Sequence, residues 1–140
     1  MRVLIRAPGV LRIASAGMEG PLRATAGDCH EMALQGLPPE MFLCATYESL
    51  TLRLERGDSI AFFSDGLSDT KNHAEDFFGT ERICVVCNSM LRATPQEQLN
   101  AITSAVKTHA EGETQQDDLT IAVLYYKPSW RTGNEGRNSN

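Results

Sequence analysis

The sequence predicts a mixed α/β fold of the α+β kind, built mainly on antiparallel sheet. Three observations carry this. Most β-type runs follow one another through short turns, which joins strands antiparallel. One run, residues 59–64, has an Ile-Ala-Phe-Phe centre, as expected of a strand buried on both faces. Two helical periodicities follow that run rather than alternating with the strands.

Taken in order, residues 3–6 and 10–14 are short β-type runs around Ala7-Pro8-Gly9, and they predict a hairpin. Residues 17–42, rich in Gly, Pro, Met and polar side chains, predict loops and short edge strands. From 47 to 54 polar and apolar residues alternate, with Leu50, Leu52 and Leu54 on one face, predicting a half-buried strand. Arg56-Gly57-Asp58 turns the chain into the buried run 59–64. A first helix is predicted over about 80–91, with Ile83, Cys87 and Met90 on one face. A second begins at Thr94-Pro95-Gln96-Glu97, a capping box with Pro at the first helical position, and carries Leu99, Ile102 and Val106 as its apolar stripe. The apolar run 119–126 predicts the last strand, and the Gly/Asn-rich residues 128–140 a flexible tail.

Composition narrows the function classes. The chain has 140 residues, 41% apolar and 22% charged, a globular balance. Its net charge of −5, with Lys and Arg scattered singly, argues against nucleic acid as a partner. No apolar stretch approaches the roughly 18 residues that span a bilayer, so no membrane role is expected. The four cysteines, with no leader sequence before them, predict a cytoplasmic protein with reduced thiols. Cys84-x-x-Cys87 lacks the second such pair a structural zinc site uses, and is expected to pack in a core. His30, His73 and His109 are unclustered and predicted at the surface.

The chemistry lies in the carboxylates. Asp65 stands where the buried strand ends, followed by Gly66, and Asp117-Asp118 stand where the last strand begins. If those strands are antiparallel neighbours, these carboxylates meet at one rim of the sheet. Anions gathered there repel one another unless a cation binds, and oxygen-only ligands suit Mg²⁺ or Mn²⁺. Either motif taken alone is also an ordinary turn.

Five motifs then occur in series: Ala14-Ser15-Ala16-Gly17, Leu54-Glu55-Arg56-Gly57-Asp58, Phe63-Ser64-Asp65-Gly66-Leu67-Ser68-Asp69, Phe78-Gly79-Thr80-Glu81-Arg82 and Asp117-Asp118-Leu119-Thr120. In this order the chain resembles the type-2C metal-dependent protein serine/threonine phosphatases, in the bacterial branch of the sporulation phosphatase and the sigma-factor regulators. The resemblance covers about residues 3–126. It implies a partial four-layer α-β-β-α sandwich, residues 1–127 being the C-terminal portion of the domain with the N-terminal strands missing. It implies two Mn²⁺ or Mg²⁺ ions, with Asp65 and Asp117 as metal ligands, Asp118 as the close alternative, and Gly66 and Asp69 supporting the loop. The implied reaction is attack of a metal-bridging hydroxide on a phosphoserine or phosphothreonine, so no side chain serves as nucleophile. The implied partner is a phosphoprotein substrate, by analogy an anti-sigma-factor antagonist. An open sheet edge at the N-terminus makes a homodimer a further expectation.

The sequence departs from that family at three points. The segment in which an earlier Asp-Gly bridges both metals has no counterpart in residues 1–58. Met18 stands where the family has His, and Gly36-Leu37-Pro38-Pro39 follows Gly-x-Pro-Leu-Gly only loosely. The competing reading is therefore a truncated, non-catalytic module that binds a partner protein or a single cation.

Overall fold

A computed structural model describes residues 2–14, 20–33, 49–112 and 118–127. Expectations for Ser15–Gly17, Met18, Gly36–Pro39, Cys44, Asp117 and the 128–140 tail fall outside those residues.

Among the described residues, seven strands form two antiparallel sheets. The first sheet contains β1 (Arg2–Ala7), β2 (Val10–Ala14) and β5 (Ser49–Arg53), in the order β1-β2-β5. The second contains β3 (Leu22–Thr25), β4 (Asp28–Glu31), β6 (Ser59–Phe63) and β7 (Ile121–Tyr125), in the order β4-β3-β6-β7. The helices are α1 (Asp65–Ser68), α2 (Gly79–Ser89) and α3 (Pro95–Ala110). The predicted hairpin is β1–β2, with Leu4 opposite Arg12 and Gly9 left-handed in the turn at φ 76°. Of the short edge strands expected between residues 17 and 42, β4 is an edge, whereas β3 pairs on both sides, with β4 and with β6.

Strand β6 organises the molecule, because all five of its residues are buried. Alternate side chains serve opposite faces. Ile60 and Phe62 join Leu11, Ile13, Met32 and Leu54 in the core between the two sheets. Ala61 and Phe63 join Leu22, Ala24, Leu67, Ile83, Cys87, Ile102 and Val106 in the core beneath the helices. Sheet, sheet and helices thus make three layers, and a helical layer over the outer face of the first sheet is not among the described residues.

Both helix readings stand with one exchange each. In α2 the buried residues are Ile83 and Cys87, and Met90 falls at the C-cap instead of on the buried face. In α3 they are Gln98, Ile102 and Val106, so Gln98 takes the place predicted for Leu99. Gln98 sits there because its amide is satisfied: Oε1 accepts from Ser59 Oγ at 2.7 Å and Nε2 donates to the Ala93 carbonyl at 3.2 Å.

The capping box at Thr94 forms as read. Glu97 N donates to Thr94 Oγ1 at 3.3 Å, and Thr94 N donates to Glu97 Oε2 at 2.8 Å. The Thr94 backbone amide, then its hydroxyl, holds the Glu97 carboxyl below its ordinary 4.5. A depressed carboxyl stabilises the fold above its unfolded-state pKa and loses that contribution as pH falls through the folded value. Thr94→Ala is expected to cost about 1 kcal/mol near neutral pH. Melting curves against pH check this: the gap between wild type and variant should narrow as pH drops below 4.5.

Candidate metal centre

The register of β6 and β7 builds the rim. Phe63 lies opposite Ile121 and Ser59 opposite Tyr125, so the end of β6 meets the start of β7. Ser64 fastens the junction: its amide donates to the Thr120 carbonyl at 3.0 Å and its hydroxyl to the Asp118 carbonyl at 3.1 Å. The same hydroxyl accepts from Thr120 N at 3.1 Å. One small side chain therefore ties the residue before Asp65 to the segment that carries Asp118. Asp65 and Asp118 are both exposed at this rim, as a hydrated cation site requires. Asp117, the preferred partner of Asp65 in the family resemblance, lies outside the described residues.

Asp65 opens the single turn of α1. Its Oδ1 accepts from Gly66 N at 3.0 Å, and its carbonyl accepts from Asp69 N at 2.8 Å and Ser68 Oγ at 3.0 Å. The bond from Asp69 is a backbone one, made by its amide at the C-cap of α1. Gly66 is buried and is not among the left-handed glycines, so the sharp turn read from Asp-Gly is a helical turn instead. The Gly66 carbonyl accepts from Thr70 Oγ1 at 2.8 Å, which closes the turn. Sequence reasoning did not single out Ser64 or Thr70. The signal for both was a hydroxyl residue flanking Asp-Gly, a place where such side chains satisfy loose backbone groups.

The segment after the site folds into a compact knob. Lys71 bridges Phe77, Asn72 Oδ1 accepts from the amides of Ala74 and Asp76, and Arg82 Nη1 donates to the carbonyls of Phe77 and Phe78. Phe78 anchors the knob: it is buried and meets His109 edge-on, with ring centroids 5.4 Å apart. Phe77 does not, being 53% exposed with Lys71 Nζ 5.2 Å from its ring centre. Glu75 pairs with Lys71, whose Nζ lies 2.7 Å from its Oε2. His109 Nε2 lies 2.9 Å from the Asp76 carbonyl oxygen, and His30 Nδ1 lies 3.0 Å from Asp28 Oδ2. Cys87 lies in the core as read, but Cys84 is only partly buried and touches Cys29.

The donor set can be tested against a metal. Carboxylate and carbonyl oxygens at the rim suit a hard divalent ion in kind and position. In number they fall short: among the described residues no three His, Cys, Asp or Glu side chains gather as a metal site.

A family model described as Stage II sporulation protein E (SpoIIE) matches residues 3–127. The chain belongs to that family. Its fold is similar to the SiaA-PP2C domain of Pseudomonas aeruginosa, with a TM-score of 0.70 at 20% identity, covering 85% of this chain and 47% of that one. It is also similar to the phosphatase domain of the cell fate determinant SpoIIE from Bacillus subtilis, presoaked with Mn. There the TM-score is 0.67 at 16% identity, over 92% of this chain and 58% of that one. Protein IcfG of Synechocystis sp. is 25% identical over 96 residues, which are 69% of this chain and 15% of IcfG. The SpoIIE-family chain thus spans about half of the solved phosphatase structures, in keeping with the partial sandwich read from its sequence. Among the described residues, no helix is long and apolar enough to cross a membrane.

Proposed function

We propose that this chain is the C-terminal, metal-binding portion of a protein serine/threonine phosphatase domain, comprising residues 1–127. It acts in hydrolysis of phosphoserine or phosphothreonine on a regulatory phosphoprotein. The observation that supports this most is the Ser64 junction, which ties the residue before Asp65 to the backbone of Asp118 and Thr120 in a chain of this family. Asp65 and Asp117, with Asp118 as the alternative, would hold Mn²⁺ or Mg²⁺. When bound, such ions lower the pKa of water and neutralise charge on phosphoryl oxygens. The chain's own part is to fix the carboxylates: Gly66 and Thr70 close the α1 turn, and the Asp69 amide holds the Asp65 carbonyl.

The substrate we propose is an anti-sigma-factor antagonist, and the setting a cytoplasmic sigma-factor partner switch. Self-association, where it occurs, runs through β1, an edge strand whose outer side meets no partner strand among the described residues. The test is phosphate release from a phosphorylated antagonist by the intact gene product supplied with Mn²⁺. Metal-dependent release is expected. An inert protein would leave the second reading, a non-catalytic module, which the incomplete ligand set among the described residues favours.

A further inference from the structure

Three of the four cysteines converge away from the carboxylate rim. Cys29 comes from β4, at the edge of the second sheet, and Cys84 and Cys87 come from α2, which lies against β3 and β4. The Sγ atoms of Cys29 and Cys84 are 2.8 Å apart, though the residues are 55 apart in sequence. Both are free, partly exposed thiols, and with Val85, Asn88 and Ser89 they line an open groove. Cys87 is different: it is 2% exposed and belongs to the core. A disulfide has an S–S length of about 2.05 Å, so Cys29 and Cys84 need close by only about 0.8 Å. Cys84 and Cys87 are three apart on one helix, where Cβ atoms stand about 5–6 Å apart, wider than the roughly 3.5–4.5 Å of a disulfide.

We propose that Cys29 and Cys84 form a reversible disulfide, with hydroperoxides as oxidant and small thiols as reductant. One of the two sulfurs, as thiolate, attacks the peroxide O–O bond. It gains a hydroxyl as sulfenic acid, and the other oxygen leaves as water or an alcohol. The second sulfur then attacks the sulfenic sulfur: the S–S bond forms, the S–O bond breaks, and the hydroxyl departs with that thiol's proton as water. Two electrons pass from the cysteine pair to one peroxide. Two small thiols return them on reduction and end as their own disulfide.

Burial first, then the bond to Cys84 and the charges of Cys84, Cys87 and Asp28, push the Cys29 thiol well up. Burial likewise pushes Cys87 to about 11. Cys29 therefore rests protonated and is slow as an attacking thiol. Once formed, the bond staples the edge strand β4 to α2.

The test is to expose the 140-residue chain to hydrogen peroxide, alkylate the remaining thiols and map non-reduced peptides by mass spectrometry. The intact mass should fall by two hydrogens, and one linked peptide pair should carry Cys29 and Cys84. The link should persist in Cys44→Ser and Cys87→Ser and vanish on reduction with dithiothreitol. Mapping the wild-type chain decides the matter even if a variant fails to fold. Recovery of Cys29 and Cys84 alkylated separately, joined to other cysteines, or linked only between chains would overturn the proposal.

Discussion

Asp65→Asn is expected to reduce Mn²⁺-dependent phosphate release by the intact gene product by roughly 10²–10³-fold, the equivalent of about 3–4 kcal/mol of transition-state stabilisation. The substitution keeps shape and removes charge. The hydrogen bonds that build the α1 turn go to the Asp65 carbonyl, which the variant retains, and the amide oxygen of Asn can still accept from Gly66 N. The fold should therefore persist, with a melting temperature near that of wild type, while the anionic oxygen that a hard cation requires is gone. Asp69→Asn is the informative companion. Its recorded contact with the turn is through the backbone, so any loss should be smaller, on the order of tenfold. Equal losses in the two variants would mean that Asp65 has no special role.

Asp58→Ala should give the largest loss of stability, about 3 kcal/mol, with a fall in melting temperature of about 10 °C. Asp58 lies at the opposite end of β6 from Asp65 and is 5% exposed. Its Oδ2 accepts from Arg23 Nη2 at 2.6 Å and from Glu55 N at 2.9 Å. Arg23 Nη2 also donates to the Arg53 carbonyl at 3.1 Å, so the pair binds β3 to β5 and to the β5–β6 turn. Removing the carboxylate leaves a guanidinium with less compensation, its Nε already buried without a partner, and orphans the Glu55 amide. The Arg23 side chain is 22% exposed and can recruit water, which holds the cost to the low end for a buried pair. Arg23→Ala combined with Asp58→Ala should cost less than the sum of the two single changes. Chemical denaturation of all three variants measures this. By contrast Lys71→Ala, which breaks the exposed pair with Glu75, should leave the midpoint unchanged within error.

How legible the fold was depended on how local each signal was. The capping box at Thr94 and the hairpin around Gly9 were written in consecutive residues, and both formed where read. The five-residue buried strand was legible because only a strand covered on both faces can carry Ile-Ala-Phe-Phe without a polar side. Gln98 was misjudged because apolar periodicity cannot anticipate a partner 39 residues away, the Ser59 hydroxyl that makes a buried amide tolerable. Phe77 and Phe78 are neighbours of equal hydrophobicity, and only the backbone path over the knob decides which is buried. For the site, the meeting at one rim was legible only on the condition that β6 and β7 are antiparallel neighbours, which they are, and the hydroxyl latch of Ser64 was not legible, since it depends on residues 54 and 56 positions further on. The Cys29–Cys84 contact escaped for the same reason, its partners lying on a strand and a helix far apart in sequence.

The most direct test of the account is a calorimetric titration of Mn²⁺ into the 140-residue chain, run beside Asp65→Asn, Asp117→Asn and Asp118→Asn. A rim that holds part of a metal's coordination shell should bind weakly. Asp65→Asn and one of the other two variants should weaken that binding at least about tenfold. Binding that is unchanged in all three variants would contradict the assignment of this rim as the metal centre.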